Sequence, residues 1–368
     1  MGNQDFETAR LIVRLGAIAE NYSRFRRAAG AATVAGVVKA DAYGLGMAPV
    51  ARALADSGCD TFFVARLKEG IALRRLMPDV RIFILDGIVG GCATALVNHR
   101  LVPVLNSLEQ IASWSNAART IGARLDAAVH IDTGMRRLGL PTDELATLVG
   151  DASNRLAGLN VVLWMSHLSC GDDVTSHMNA QQLARFRAAL AQLPPAPASL
   201  AASGGALLGR EYVFDMIRPG IGLYGGNPAS RGTNPMQMAV VLLGRILQLQ
   251  RIDRGESVGY GATFQAMRPS RLATVGLGYA DGLMRAIGNR GEGEIAGLRA
   301  PIVGRVSMDL VTLDVTDLPA ETVAVSSEVE FLGEAISLEE FASWAGTASY
   351  EVLTTLGSRM PRTYEDAR

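Results

Sequence analysis

The chain has 368 residues, 49% of them hydrophobic and 19% charged, with a formal net charge of −1 at pH 7. That length can bury a large core and predicts two domains, and 40 glycines suit a compact α/β enzyme better than a disordered or fibrous chain. A near-neutral balance offers no long-range attraction for nucleic acid or for an anionic membrane. Residues 1–7 lack a basic and apolar leader pattern, no uncharged run reaches membrane-spanning length, and Cys59, Cys92 and Cys170 are odd in number and scattered. These features predict a cytoplasmic protein with reduced thiols.

In chain order, residues 9–15 read as a strand and 17–29 as a helix. An apolar, β-branched run from Thr33 to Val38 then delivers Lys39, followed by a Gly-containing loop and a helical pattern over 47–57. From there short β-rich runs alternate with helices. The strands are expected at 34–39, 61–65, 81–85, 101–105, 124–131, 159–166, 198–201 and 216–224, with helices such as 108–121, 142–152 and 176–193 between them. Eight such units predict a closed (β/α)8 barrel and not an open doubly wound sheet, and no Gly-x-Gly-x-x-Gly turn follows the first strand. Around 227–235 the composition turns to Pro, Ser, Gly and Asn, which reads as a linker. Strand-like runs at 238–251, 272–277, 301–306, 311–315 and 329–332 follow, so a mostly β C-terminal domain is expected. The division is placed at 12–232 and 233–368, with residues 1–11 pairing with the second domain.

Lys39 is the conspicuous residue. The chain has only two lysines, Lys39 and Lys68. Lys68 sits in a polar-faced helical segment and reads as a surface residue. An ammonium at the end of an apolar strand is unfavourable unless paired, covalently bonded or at the solvent edge. In a barrel, the loops after strands seven and eight are the expected phosphate site. Here these carry Ala202-Ser203-Gly204-Gly205 and Arg218-Pro219-Gly220-Ile221-Gly222. Glycines there expose backbone N–H groups and Ser203 adds a hydroxyl. A phosphate cradle with one buried amine is what pyridoxal 5′-phosphate requires. Arg218 can only donate, so a ring nitrogen beside it would stay unprotonated and draw electrons weakly. His167 and Cys170 lack a second ligand pair, and no metal site is expected.

The run Val38-Lys39-Ala40-Asp41-Ala42-Tyr43-Gly44-Leu45-Gly46 resembles the cofactor-attachment motif of alanine racemases. The resemblance continues through residues 132–139, Ser166-His167, 218–225, 258–264, 278–282, 304–309 and Tyr350-Glu351. It implies that Lys39 bonds the cofactor and is one catalytic base, with Tyr260 the second base on the opposite face of the substrate. It also implies that Tyr43, Ser203, Gly220, Ile221 and Tyr350 hold the phosphate, and that His167 and Arg218 flank the cofactor. Arg137 and the backbone of Met308 would bind the substrate carboxylate, while Tyr279 and Tyr350 narrow the entrance. Members are homodimers whose Tyr260 and Met308 equivalents come from the partner, which implies composite sites. The implied reaction interconverts L- and D-alanine and supplies D-alanine for peptidoglycan; the alternative is a serine or broad-specificity amino-acid racemase. A decarboxylase on this fold would place an acid where Arg218 stands, and a non-enzymatic cofactor carrier would lack the second domain. The chain departs from the family pattern at Ala202, often Asn, and at Leu283-Met284-Arg285, which lacks the usual aromatic-Pro-Arg ending. It also has His130 where many relatives carry a carbamylated lysine that orients the carboxylate-binding arginine. A neutral imidazole lacks that negative charge, which leaves a bound anion, or nothing, in its place.

Overall fold

The computed structural model describes residues 7–366 of the chain. Strand β1 (Ala9–Arg14) alternates buried and half-buried residues, as a strand with one face on a core must, and runs directly into helix α1 (Leu15–Ala29). The barrel strands follow. The first comes in two pieces, β2 (Thr33–Val34) and β3 (Gly36–Val37). Next are β4 (Thr61–Val64), β5 (Arg81–Ile84), β6 (Val102–Leu105) and β7 (Leu125–His130), then β8 (Leu159–Met165), β9 (Ala198–Ser199) and β10 (Met216–Ile217). β3 to β9 form one parallel sheet in chain order, and β10 pairs in parallel with β2. The Asp215 N–H donates to the Ala198 carbonyl at 3.0 Å and the Arg218 N–H to the Ala201 carbonyl at 2.9 Å, so β10 also joins β9. The ring is closed, as a (β/α)8 barrel requires.

β4 and β6 are buried along their whole length and read as unbroken apolar runs for that reason. Phe63 and Phe83 stack with ring centroids 4.5 Å apart, worth about 1 kcal/mol beyond the burial of their area. Helices between the strands cover the outside, among them α3 (Met47–Asp56) and α4 (Leu67–Leu76), while α2 (Lys39–Tyr43) is a single turn at the barrel mouth.

Several expected elements differ, among them the strand at 34–39, which breaks at Ala35 and ends at Val37. Residues 216–224 are not one strand: β10 stops at Ile217, and 221–224 form a 3-10 turn. Pro219 has no N–H to continue the ladder, and the N–H groups of Gly220 and Gly222 turn away from it to donate to Ser203 Oγ at 2.9 and 3.2 Å. The strand expected at 301–306 lies earlier, over Leu298–Pro301, because Gly304 at φ 78° bends the chain after it.

Beyond the barrel, β11 (Val240–Ile252) is the long central strand of an eight-stranded sheet. β1 pairs with it antiparallel and with the last strand, Arg362–Glu365, in parallel. Residues 9–11 therefore join the C-terminal sheet; residues 1–6 of the segment expected to do so lie outside the described residues. A C-terminal helix, Ser349–Thr355, leans back over the barrel mouth, and Arg362 donates to the Gly44 carbonyl at 2.9 Å. That places part of the second domain against the Lys39 loop.

Candidate active site

Lys39 lies two residues beyond β3, at the carboxyl end of the barrel, where backbone geometry becomes unusual. Ala40, Asp41, Ala42 and Tyr43 all have φ between 53° and 58°, a single turn of left-handed helix. Each such residue costs roughly 1–2 kcal/mol when it is not glycine, so the turn must be held from outside. Glu69 Oε1 accepts from the Ala40 N–H at 2.7 Å, Asp41 Oδ1 from the Met47 N–H at 2.7 Å, and Arg362 grips the Gly44 carbonyl. The result turns both Lys39 and Tyr43 toward one cavity.

That cavity measures about 640 Å3 and is also lined by His130, Arg137, His167, Ser203, Arg218, Gly220, Ile221 and Tyr350. Cationic groups dominate it. Burial, and next the Arg137 charge, lower the Lys39 pKa, while Glu69 and Asp86 oppose the shift. An amine so placed loses its proton more readily than an exposed lysine and is a better nucleophile. Arg218 is fully surrounded: its guanidinium donates to Ser199 Oγ and, at 2.6 Å, to the Ser166 carbonyl, and it lies 5.9 Å from the centre of the Phe63 ring. Burial brings its pKa down to about 10, which leaves it charged at neutral pH. His167 is held well below its ordinary value by burial and then by Arg218, so it is a neutral ring.

The phosphate fit can be tested on the backbone. Ser203 Oγ accepts from two N–H groups, which leaves its own proton free to donate into the cavity. A Cβ on Gly220 would lie 2.3 Å from the Tyr43 hydroxyl, so only glycine leaves this space open. Tyr43 packs 4.7 Å from Tyr224 and 6.1 Å from Tyr350, ring centre to ring centre. The Ser203 and Tyr43 hydroxyls, the open space at Gly220 and nearby guanidinium charge form an anion cradle, and the lysine beside it completes the donor set that pyridoxal phosphate needs. Gly220→Ala is expected to weaken cofactor affinity about 10- to 100-fold by filling that space, read by titrating cofactor into the apoprotein.

The comparisons with known proteins agree over the full length. Residues 13–228 match the family model "Alanine racemase, N-terminal domain" and residues 239–364 match "Alanine racemase, C-terminal domain". An alanine racemase of Rhodospirillum rubrum is 48% identical over 100% of this chain and 99% of its own. The chain belongs to the alanine racemase family. It is accordingly an isomerase with a two-domain, barrel-plus-β architecture. A catabolic alanine racemase of Agrobacterium fabrum is 46% identical over 96% of the chain and 91% of its own. Among solved structures, the alanine racemase of Bartonella henselae with covalently bound pyridoxal phosphate superposes with a TM-score of 0.94 at 37% identity, covering 97% of this chain and 99% of its own.

Within one chain of this family member, the remaining expected residues lie elsewhere. Tyr260 is 71% exposed and Met308 54% exposed, and neither lines the cavity. Tyr279 is next to Met308: its N–H donates to the Ser307 carbonyl at 3.0 Å, and the Ala280 N–H donates to the Met308 carbonyl at 2.9 Å. Arg359 braces that turn by pairing with Asp281 and Asp309, each at 2.8 Å. Several supporting residues escaped the sequence reading. Glu69 clamps the Lys39 turn, Asp86 lines the cavity, and Ser199 joins the carbonyl of Ser166, itself part of the family resemblance, in satisfying Arg218. Their signal is weak because each acts across the barrel, far from its partner in sequence.

Proposed function

We propose that the chain racemises alanine with pyridoxal 5′-phosphate by a two-base mechanism shared between two copies of itself. Lys39 would bond the cofactor; Tyr43, Ser203, Gly220, Ile221 and Tyr350 would hold its phosphate, with Arg218 and His167 at the ring. When bound, the cofactor supplies an electron sink that eases loss of the substrate α-proton. Arg218 limits that sink because its guanidinium can only donate, so a ring nitrogen beside it would accept that hydrogen bond and stay unprotonated.

The chain's own residues do the rest. Arg137 and the Met308 backbone take the substrate carboxylate, and Tyr279 and Tyr350 narrow the entrance to a small side chain. The Lys39 amine moves the α-proton on one face, and the Tyr260 hydroxyl of the partner moves it on the other. Two bases are needed because the two enantiomers present that proton to opposite faces. The observation that carries this reading is the split distribution. Lys39, Arg218 and the Ser203–Gly220 cradle share one cavity, while Tyr260 and Met308 stand exposed on the second domain of the same chain. A homodimer with composite sites reunites them. The same reading divides the chain at 12–232 and 233–368, places the enzyme in the cytoplasm and assigns its D-alanine to peptidoglycan. Among the described residues no helix is long and apolar enough to cross a membrane.

Steady-state rates with alanine, serine and lysine test the substrate. Alanine should exceed serine in kcat/KM by at least about 10-fold, since a narrow pocket rejects added atoms by roughly 1–3 kcal/mol. Equal efficiency on serine would favour a broad-specificity racemase, and equal efficiency on lysine would remove the alanine assignment.

A further inference from the structure

His130 closes β7, and Asn106 directly follows β6, the strand paired beside it. Both amide protons of Asn106 are committed, to the Leu85 carbonyl at 3.0 Å and the Val104 carbonyl at 2.9 Å. Turning the amide over would set its oxygen against those two carbonyl oxygens, so its orientation is fixed. Asn106 Oδ1 therefore faces His130 Nδ1, 2.9 Å away, as an acceptor only. Nδ1 must carry the proton.

Burial, then Arg218 and Arg137 against Asp132, push the His130 pKa down to about 4, so the ring is neutral and Nε2 is a bare lone pair. Nε2 has no protein partner among the described residues, and the ring lines the same cavity as Arg137. The loop carrying Arg137 is folded around this histidine. The Leu140 N–H donates to the His130 carbonyl at 2.8 Å, and a Cβ on Gly139 would lie 3.1 Å from the ring carbons Cγ and Cδ2. Asp132 gathers the N–H groups of Gly134, Met135 and Arg136 and sets the start of the loop. The Arg137 guanidinium has no acceptor among the described residues.

We propose that His130, its tautomer fixed by Asn106, is a positioning residue whose Nε2 accepts from the Arg137 guanidinium and aims it at the substrate carboxylate. This rests on the racemase reading for the role of Arg137. A neutral acceptor orients the guanidinium without neutralising it, so its full charge remains for the carboxylate. A lone pair at that point repels anions, and an imidazole ring offers no amine to carbamylate. Neither a bound anion nor carbon dioxide is then required.

Nitrogen NMR of the cofactor-loaded enzyme with labelled histidine tests the tautomer directly: a proton on Nδ1 and a bare Nε2 at neutral pH are expected, and the reverse tautomer or an imidazolium overturns the proposal. In kinetics, His130→Leu should raise KM for both alanine enantiomers about 10- to 100-fold with kcat and cofactor absorbance largely kept. His130→Gln, which restores an acceptor, should stay within about threefold of the parent. The NMR readout is made on the parent enzyme, so it judges the tautomer even if His130→Leu fails to fold. Chloride and bicarbonate should leave the parent KM unchanged. Unaltered KM in His130→Leu, in an enzyme that does racemise alanine, defeats the inference alone. A parent that does not racemise alanine defeats the underlying reading, while the NMR result still judges the tautomer.

Discussion

Lys39→Ala is expected to abolish racemisation, by at least about 10^3-fold, and to remove the visible absorbance of lysine-bound cofactor in the same step. No other amine can substitute. The only other lysine, Lys68, is exposed on α4 and does not line the cavity. The protein should still fold, because the Lys39 side chain makes no hydrogen bond among the described residues and its burial disfavours the ammonium. Spectroscopy and a coupled D-alanine assay check both halves. Activity within tenfold of the parent would exclude Lys39 from the chemistry.

Tyr260→Phe is expected to separate two processes that the parent enzyme couples. Racemisation needs a proton moved on both faces, so it should fall about 10^2- to 10^4-fold in both directions alike. Exchange of a single α-proton with solvent needs only one base. In deuterated water the variant should therefore still label D-alanine through Lys39, while L-alanine, which presents its proton to the missing hydroxyl, labels far more slowly. Tyr260 is 71% exposed in the single chain, so the substitution removes no core packing and should leave stability and cofactor binding intact. Unchanged exchange of both enantiomers would defeat the two-base assignment.

Much of the barrel was legible because buried parallel strands are short apolar runs, and those at 61–64, 81–84 and 159–165 fell close to where the runs predicted them. What the runs could not convey is backbone that tertiary contacts impose. Of Ala40-Asp41-Ala42-Tyr43 only Asp41 is a residue type that visits left-handed backbone with any ease, and one such residue does not signal a four-residue left-handed turn. Glu69 and Arg362, one far downstream, impose it. The early end of strand eight has its sequence signal in Pro219, which has no N–H to offer the ladder. The pairing of Asn106 with His130 was not legible at all, because strand order in space, and not spacing in the chain, brings them together. Tyr260 and Met308 entered only through family resemblance. A single chain leaves both outside the cavity.

That separation makes subunit complementation the most direct measurement. Lys39→Ala and Tyr260→Phe enzymes, each inactive alone, are mixed, dissociated and reassociated. In a mixed dimer, the site built from the intact Lys39 of one copy and the intact Tyr260 of the other is whole. Random reassociation should restore about a quarter of parent activity, because half the dimers are mixed and each carries one whole site. If each active site drew both residues from one chain, every chain in the mixture would lack one of them. Reassociated dimers with no recovered racemisation would contradict the composite site.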